Sequence, residues 1–197
     1  MNPLRQVTGR AAVLDRPDID TDQIIPKQFL KRIERSGYGE FLFYDWMKDP
    51  EFELRRPEYE GAQILVAGRN FGCGSSREHA AWALADAGFR AILAPSFADI
   101  FFNNCCQNGL LPVRLEPEEI DQLVHRVQTA GGQYRLTVDL EEQVVEDGHG
   151  FRTRFALEPY RREMLLRGLD EIGHTLLEEP RIAAFEQRRT ARAAAAP

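Results

Sequence analysis

The chain has 197 residues, 43% of them hydrophobic, and a formal net charge of -6. This length and composition predict one sizeable core and one domain. Basic residues form no strong block outside the C-terminal tail, which argues against nucleic-acid binding. Because the chain has neither an apolar run that could cross a membrane nor an apolar N-terminus typical of a signal peptide, we expect a cytoplasmic protein.

Cysteines are few and poorly spaced for a shared structural role. The three of them, Cys73, Cys105 and Cys106, include no C-x-x-C pair, so a disulfide framework is not expected. Their spacing also matches no standard iron–sulfur motif. We therefore predict no metal site in this chain, and we expect Cys105 and Cys106 to be small buried residues on a helix.

The first third of the chain mixes one clear strand with irregular segments. It reads, in order, as a strand Gly9–Leu14, an acidic turn Asp15–Asp22, one helical turn Phe29–Ile33 and a long aromatic excursion Ser36–Tyr59. The excursion has no clean period, and excursions of this length are often functional.

The rest of the chain alternates strands and helices. The elements predicted from apolar runs and from Gly and Pro boundaries are strands 63–67, 90–94, 110–115 and 134–140, helices 76–87, 96–109, 117–131, 159–167 and 180–192, and a hairpin turning at Asp147–Gly150. The first strand–helix–strand group predicts a parallel βαβ unit. The predicted fold class is therefore α/β, with a parallel βαβ core and a later antiparallel hairpin.

A glycine loop, Asn70–Ala80, leads from the strand at 63–67 into a helix start. Backbone N–H groups and the helix dipole favour an anion at such a place, and Arg77 offers a planar fork that matches a carboxylate. The spacing fits neither a dinucleotide fingerprint nor a phosphate-binding P-loop. Two interpretations stay open: a site that binds a carboxylate, or a capping box between Ser75 and Glu78.

An acidic triplet, Asp18-x-Asp20-x-Asp22, matches the first three ligand positions of a calcium-binding loop. A calcium loop needs Gly sixth and Glu twelfth, where this chain has Gln23 and Phe29, so we reject that interpretation. The triplet is either a solvated turn or the edge of an active site. Asp22 precedes an apolar stretch that should be buried, which makes it a candidate active-site carboxylate.

Several motifs together resemble one family. They are Asp20–Pro26, Asn70–Ala80, Ala94–Phe101, Leu110–Val113, Arg161–Glu163 and Gly168–Gly173. In this order they are similar to the small subunit of 3-isopropylmalate dehydratase, which corresponds to the swivelling domain of aconitase. The resemblance runs from about Gly9 to about Phe185. It implies a single swivelling β/β/α domain over residues 1–185, followed by a tail, 186–197, that is not family-like.

The resemblance also implies a partner and a reaction. In this family the cysteines of a large subunit hold a [4Fe–4S] cluster, which the small subunit then covers. The reaction moves a hydroxyl between neighbouring carbons of a dicarboxylic acid, through a dehydrated alkene, in leucine biosynthesis. This chain would therefore be a hydro-lyase subunit that is active only with its partner and holds no cofactor itself.

Residue roles follow from the same resemblance. Ser75 matches the base that removes a proton from the carbon beside a carboxylate, and Asp22 matches the family's acid. Arg77 and the backbone around it would stabilise the charge that develops. Residues implied in substrate binding are Ser76, Arg77, Arg32 and Lys31.

Two other functions remain open at this stage. One is the same architecture acting on homocitrate, citramalate or dimethylmalate, which would differ in the pocket for the substrate's side group, around residues 29–33. The other is a non-catalytic module that uses the anion site only for binding. The presence or absence of a cluster-bearing partner distinguishes this module from both enzymes.

Overall fold

The structure is a computed structural model that describes residues 1–31, 34, 36–131 and 134–194, without the side chains of 190–194. The strands of this part are β1 Gln6–Leu14, β2 Ile64–Ala67, β3 Ala91–Ala94, β4 Leu111–Arg114, β5 Arg135–Asp139, β6 Val144–Glu146 and β7 Arg152–Arg154. The helices are α1 Thr21–Ile24, α2 Glu78–Asp86, α3 Asp99–Gln107, α4 Pro117–Thr129, α5 Pro159–Arg167, α6 Glu171–Leu176 and α7 Glu179–Ala194.

All seven strands form one mixed sheet in the order β4-β3-β2-β1-β5-β6-β7. Strand β1 joins its two halves: residues 11–14 pair with β2 in parallel, and residues 6–10 pair with β5 in antiparallel fashion. The first half of β1 alternates exposed and buried residues, whereas residues 11–14 are all buried. This change follows from the layers, because parallel strands are covered on both faces and antiparallel ones commonly on one.

The core is built on the parallel half of the sheet. Every residue of β2 and β3 is buried, and the helix α4 packs on β1, β2 and β3. Four apolar residues at helical spacing form the buried face of α4: Ile120, Leu123, Val124 and Val127. Helices α2 and α3 pack on each other and α5 packs on α3. The predicted α/β class, with its parallel βαβ core and antiparallel hairpin, is confirmed.

The aromatic excursion folds as consecutive short 3-10 helices, at Gly39–Phe41, Trp46–Lys48, Glu53–Arg55 and Pro57–Tyr59. Several of its aromatic side chains pack into the core. Phe43 is fully buried and is stacked on the half-buried Trp46, with 5.5 Å between the ring centroids. The Phe43 amide donates to the Ile24 carbonyl (2.8 Å), which ties the excursion to the last residue of α1. A chain of 3-10 turns has no sustained helical or strand period, which is why the sequence shows none.

The C-terminal region ends in two helices that project many apolar side chains into solvent. Ile172, Leu176, Ile182 and Phe185 are all exposed. The predicted boundary between residues 185 and 186 falls inside α7, and the division into domain and tail stays a prediction. None of the helices in the described ranges has the length and apolar content needed to cross a membrane.

Candidate active site

The candidate site lies at the edge of the sheet where the parallel strands have their carboxyl ends. The segment after β1 carries Asp22, in the short helix α1, and the loop after β2 carries Ser75 and Arg77. Since β1 and β2 are parallel neighbours, both loops leave the sheet at the same edge. The carboxyl edge is where open α/β sheets usually bind their ligands.

Backbone hydrogen bonds join the two loops. The carbonyl of Ile19 accepts from the amides of Gly72 (2.8 Å) and Cys73 (3.2 Å), and the amide of Thr21 donates to the carbonyl of Cys73 (2.9 Å). The hydroxyl of Thr21 then donates to the carbonyl of Ser75 at 3.0 Å. Thr21 is only 2% exposed, so the hydrogen bond from its hydroxyl to the Ser75 backbone is shielded from water.

Glycine is required at the turn before Ser75. Gly72 has φ +77°, and a Cβ there would lie 2.1 Å from the ring of Phe101. The ring belongs to α3, so this glycine lets the loop lie directly on that helix. Any side chain at Gly72 would displace the loop that presents Ser75.

The capping-box interpretation of Ser75 and Glu78 is wrong. Helix α2 begins at Glu78, and its N-cap is Arg77, with no side-chain cap hydrogen bond. The predicted helix start at residue 76 is thus two residues early. The Glu78 carboxylate instead accepts from Nδ2 of Asn108 (2.9 Å), whose Oδ1 accepts from the indole of Trp82 (2.8 Å). This network fixes the first turns of α2 from the end of α3 and leaves the serines out of the cap.

Ser75 and Ser76 are both exposed. Ser75 therefore combines a backbone fixed by Thr21 with a side chain that faces solvent. That combination suits a residue that contacts a bound ligand, because a backbone that is already fixed loses little conformational entropy on binding. The role of Thr21 was not predicted from the sequence, because a threonine between two aspartates shows no pattern that indicates burial.

Arg77 is paired with Asp22 across the two loops. The side chain of Arg77 is 10% exposed and that of Asp22 is 39% exposed, and Nη1 of Arg77 forms an ion pair with Oδ1 of Asp22. Oδ2 of Asp22 lies 3.1 Å from Nζ of Lys27. The structure thus brings together Asp22 and Arg77, both predicted from the sequence, and adds Lys27, which was missed.

The other two predicted cations are Lys31 and Arg32. Lys31 lies exposed at the end of the 3-10 helix Lys27–Lys31, and Arg32 lies outside the described residues. Their roles in substrate binding stay predictions.

The cysteines are free thiols, two of them buried and Cys73 partly buried. Burial raises the pKa of Cys106 to about 12 and raises the pKa of Cys105 well above its usual range. Burial, reinforced by Asp20 and Asp18, also raises the pKa of the Cys73 thiol, whose sulfur contacts the Asp18 carbonyl at 3.3 Å. The prediction of Cys105 and Cys106 as buried helical residues is confirmed. The described residues contain no group of three His, Cys, Asp or Glu that could hold a metal ion.

Comparison with known proteins identifies the family. A model of the aconitase C-terminal domain matches residues 1–118, LeuD_N matches 121–159, and the C-terminal domain of the 3-isopropylmalate dehydratase small subunit matches 171–193. A small subunit of 3-isopropylmalate dehydratase from Anoxybacillus flavithermus is 58% identical over 96% of this chain and 100% of that one. The chain belongs to the 3-isopropylmalate dehydratase small-subunit family. The predicted family is confirmed.

Further relatives support the same assignment. The small subunit from Bacillus subtilis is 56% identical, over 96% of this chain and 98% of its own length. A crystal structure of 3-isopropylmalate dehydratase from Methanocaldococcus jannaschii matches with a TM-score of 0.66 and 26% identity, over 92% of this chain and 99% of that one. The family match to residue 193 extends past Phe185, so the expectation that the tail is not family-like is wrong.

Proposed function

We propose that this chain is the small subunit of a 3-isopropylmalate dehydratase. Together with a large subunit it interconverts 2-isopropylmalate and 3-isopropylmalate by dehydration and hydration, in leucine biosynthesis. Family membership supports the reaction class. The observation that carries the assignment of the site is the ion pair of Arg77 and Asp22, in which a guanidinium nine-tenths buried lies on the same loop as the exposed Ser75.

The proposed roles follow from that geometry. Ser75 removes a proton from the carbon next to a substrate carboxylate, since its backbone is fixed by Thr21 while its side chain is exposed. Arg77 binds the carboxylate whose charge grows as the proton leaves. A guanidinium has five N–H donors, so the pair with Asp22 leaves donors for that carboxylate.

Asp22 holds the guanidinium in place and supplies the acid of the site. Its exposed fraction of 39% leaves room for a ligand to reach the carboxylate that Arg77 and Lys27 share. Ser76, Lys31 and Arg32 are proposed to contact the substrate from the rim of the same loops. A low-dielectric enclosure strengthens all these interactions, and closure against a second protein chain would provide it.

The large subunit is proposed to hold the [4Fe–4S] cluster. The three cysteines of this chain do not fit as its ligands, because Cys105 and Cys106 are buried in the core and the described residues bring no three His, Cys, Asp or Glu side chains together around a metal. When bound in the partner, the cluster supplies a Lewis acid for the hydroxyl that leaves. The proposed location is the cytoplasm, where thiols stay reduced.

Reconstitution tests this function. The chain is purified alone and together with the large subunit from the same genome, without oxygen, and hydration of isopropylmaleate is measured. We expect turnover by the complex and none by the isolated chain, because a general base alone lacks the group that activates the hydroxyl.

Three results would contradict the proposal. Robust turnover by the isolated chain would exclude a two-subunit enzyme. Faster turnover of the alkenes derived from homocitrate, citramalate or dimethylmalate would assign the same architecture to another 2-hydroxy diacid. Binding of dicarboxylates by a complex that has an intact cluster yet turns over none of these would leave the non-catalytic binding module.

A further inference from the structure

Asp22 is shared by two cations that approach it from different sides. The guanidinium of Arg77, 10% exposed, faces Oδ1, and the ammonium of Lys27, 71% exposed, lies 3.1 Å from Oδ2. One carboxylate thus separates a cation that is fixed inside the fold from a cation at the solvent side.

Two cations and one carboxylate meet here, beside the exposed Ser75 and Ser76. The neighbouring carboxylate of Asp20 is engaged elsewhere, since it accepts from the amide of Gln23 (2.8 Å) and caps α1. Folding alone does not explain Lys27, since an ion pair as exposed as this one contributes little to stability. An ammonium at a site entrance attracts and orients anions.

The backbone beneath Lys27 is well held. Ile24 and Ile25, on its N-terminal side, are fully buried, and the amide of Phe29 donates to the carbonyl of Pro26 at 3.1 Å. The backbone of Lys27 is therefore fixed, while its ammonium group is exposed to solvent. A compact, rotatable ammonium on such a base suits capture of a carboxylate as a point charge, whereas Arg77 suits a planar grip.

We propose that Lys27 binds one carboxylate of the substrate while Arg77 binds the other, with Asp22 setting the separation of the two cations. This inference rests on the proposed function, whose substrates are dicarboxylates. It makes Lys27 a determinant of the preference for dicarboxylates over monocarboxylates.

The test uses the reconstituted complex and three variants. Lys27→Met removes the charge at nearly constant length, and Lys27→Arg keeps it. Lys48→Met is the matched control, because Lys48 also lies on a 3-10 helix and pairs with an aspartate, Asp45, at 2.7 Å while 60% exposed. The measurements are kcat, KM and calorimetric binding of 3-isopropylmalate and of 2-hydroxy-4-methylpentanoate, which lacks the second carboxylate.

We expect Lys27→Met to raise KM and weaken dicarboxylate binding by about 10- to 100-fold, as for loss of a charged hydrogen bond, with kcat changed less than about threefold. Its preference for the dicarboxylate over the monocarboxylate falls by the same factor. Lys27→Arg retains most of the affinity, and Lys48→Met behaves as wild type.

Other results would overturn the inference. Unchanged KM and unchanged dicarboxylate preference in Lys27→Met, with an active wild-type complex, would refute Lys27 and leave the proposed function standing. A fall in kcat alone would mean that Lys27 acts only by positioning Asp22. If Lys27→Met binds the dicarboxylate as wild type does and a further variant, Lys31→Met, shows the expected loss of binding, the second carboxylate is bound by Lys31. A wild-type complex that neither binds nor turns over isopropylmalate would refute the proposed function together with this inference.

Discussion

Two aspartate–arginine pairs in this molecule have opposite surroundings. Asp147 lies in the hairpin between β6 and β7; its side chain is 0% exposed and pairs with Arg126 at 2.9 Å. It also accepts from the hydroxyl of Tyr134 (2.7 Å) and from the amides of His149 (2.7 Å) and Phe151 (2.9 Å). In the pair of Asp22 and Arg77 the positions are reversed, since the arginine is nearly buried and the aspartate is open to solvent.

The comparison separates an acid that completes a fold from one that is available to a ligand. Burial alone would raise the pKa of Asp147, but the hydrogen bonds from His149, Tyr134 and Phe151 and the charge of Arg126 outweigh it and hold the pKa below its usual value. Both side-chain oxygens of Asp147 are occupied, one by two amides of the hairpin and the other by Arg126 of α4 and the hydroxyl of Tyr134. The partners of Asp22 are two cations beside exposed serines, an arrangement that a carboxylate ligand can join.

Ser75→Ala tests whether the Asp22 side of the comparison is catalytic, and it has the largest expected effect on turnover. We expect kcat of the complex to fall by about 10²- to 10⁴-fold, as for loss of a general base. Since Ser75 is exposed and does not cap α2, the free energy of unfolding should change by no more than about 0.5 kcal/mol.

Steady-state kinetics and chemical denaturation of Ser75→Ala decide the matter, with co-purification of the large subunit as the control for assembly. A variant that assembles with its partner and turns over normally would remove Ser75 from the chemistry.

Arg77→Lys against Arg126→Lys compares the two arginines directly. Lysine keeps the charge but cannot make a planar, bidentate contact, so we expect kcat/KM to fall by about 10- to 100-fold in Arg77→Lys. Arg126→Lys should leave kcat/KM unchanged and lower the free energy of unfolding by about 1 kcal/mol. Equal kinetics in both variants would show that the Arg77 pair is structural as well.

Local sequence patterns predicted the strands and helices around the site but not the contacts between its side chains. The apolar runs of β1 to β4 and the Gly and Pro boundaries are short-range features, and the structure confirms the elements they predict. Asp22 and Arg77 are 55 positions apart, and only the parallel pairing of β1 with β2 brings their loops to one edge. The resemblance supplied their roles, and their contact could not be worked out from spacing.

The errors have physical causes of the same kind. A serine three residues before a glutamate satisfies the capping pattern, but Arg77 is extended (φ -140°, ψ 110°) and takes the N-cap position, so α2 begins at Glu78. Lys27 was missed because its partner depends on where the 3-10 helix after Pro26 begins. Tertiary contacts decide both, and neither leaves a periodic trace in the sequence.

Asp147→Asn has the smallest expected effect on turnover and sharpens the structural half of the comparison. An amide offers one oxygen where the carboxylate accepts from four groups, and its NH₂ would face donors. We expect the free energy of unfolding to fall by about 2 to 4 kcal/mol, which a domain of this size survives, with kcat and KM unchanged in the folded complex. Asp99→Asn is the control, since Asp99 is 93% exposed and 3.6 Å from Arg114, and should cost less than about 1 kcal/mol.

The pH dependence of unfolding gives Asp147 a second signature. Its pKa is lower in the folded chain than the ordinary value of about 3.9, so its contribution is complete above that value and is lost as the pH falls through the folded pKa. Wild-type stability should therefore fall more steeply below about pH 4 than that of Asp147→Asn, measured by denaturant unfolding between neutral and acid pH. Parallel curves would mean that Asp147 is not held ionised by its four donors, and the contrast with Asp22 would then rest on exposure alone.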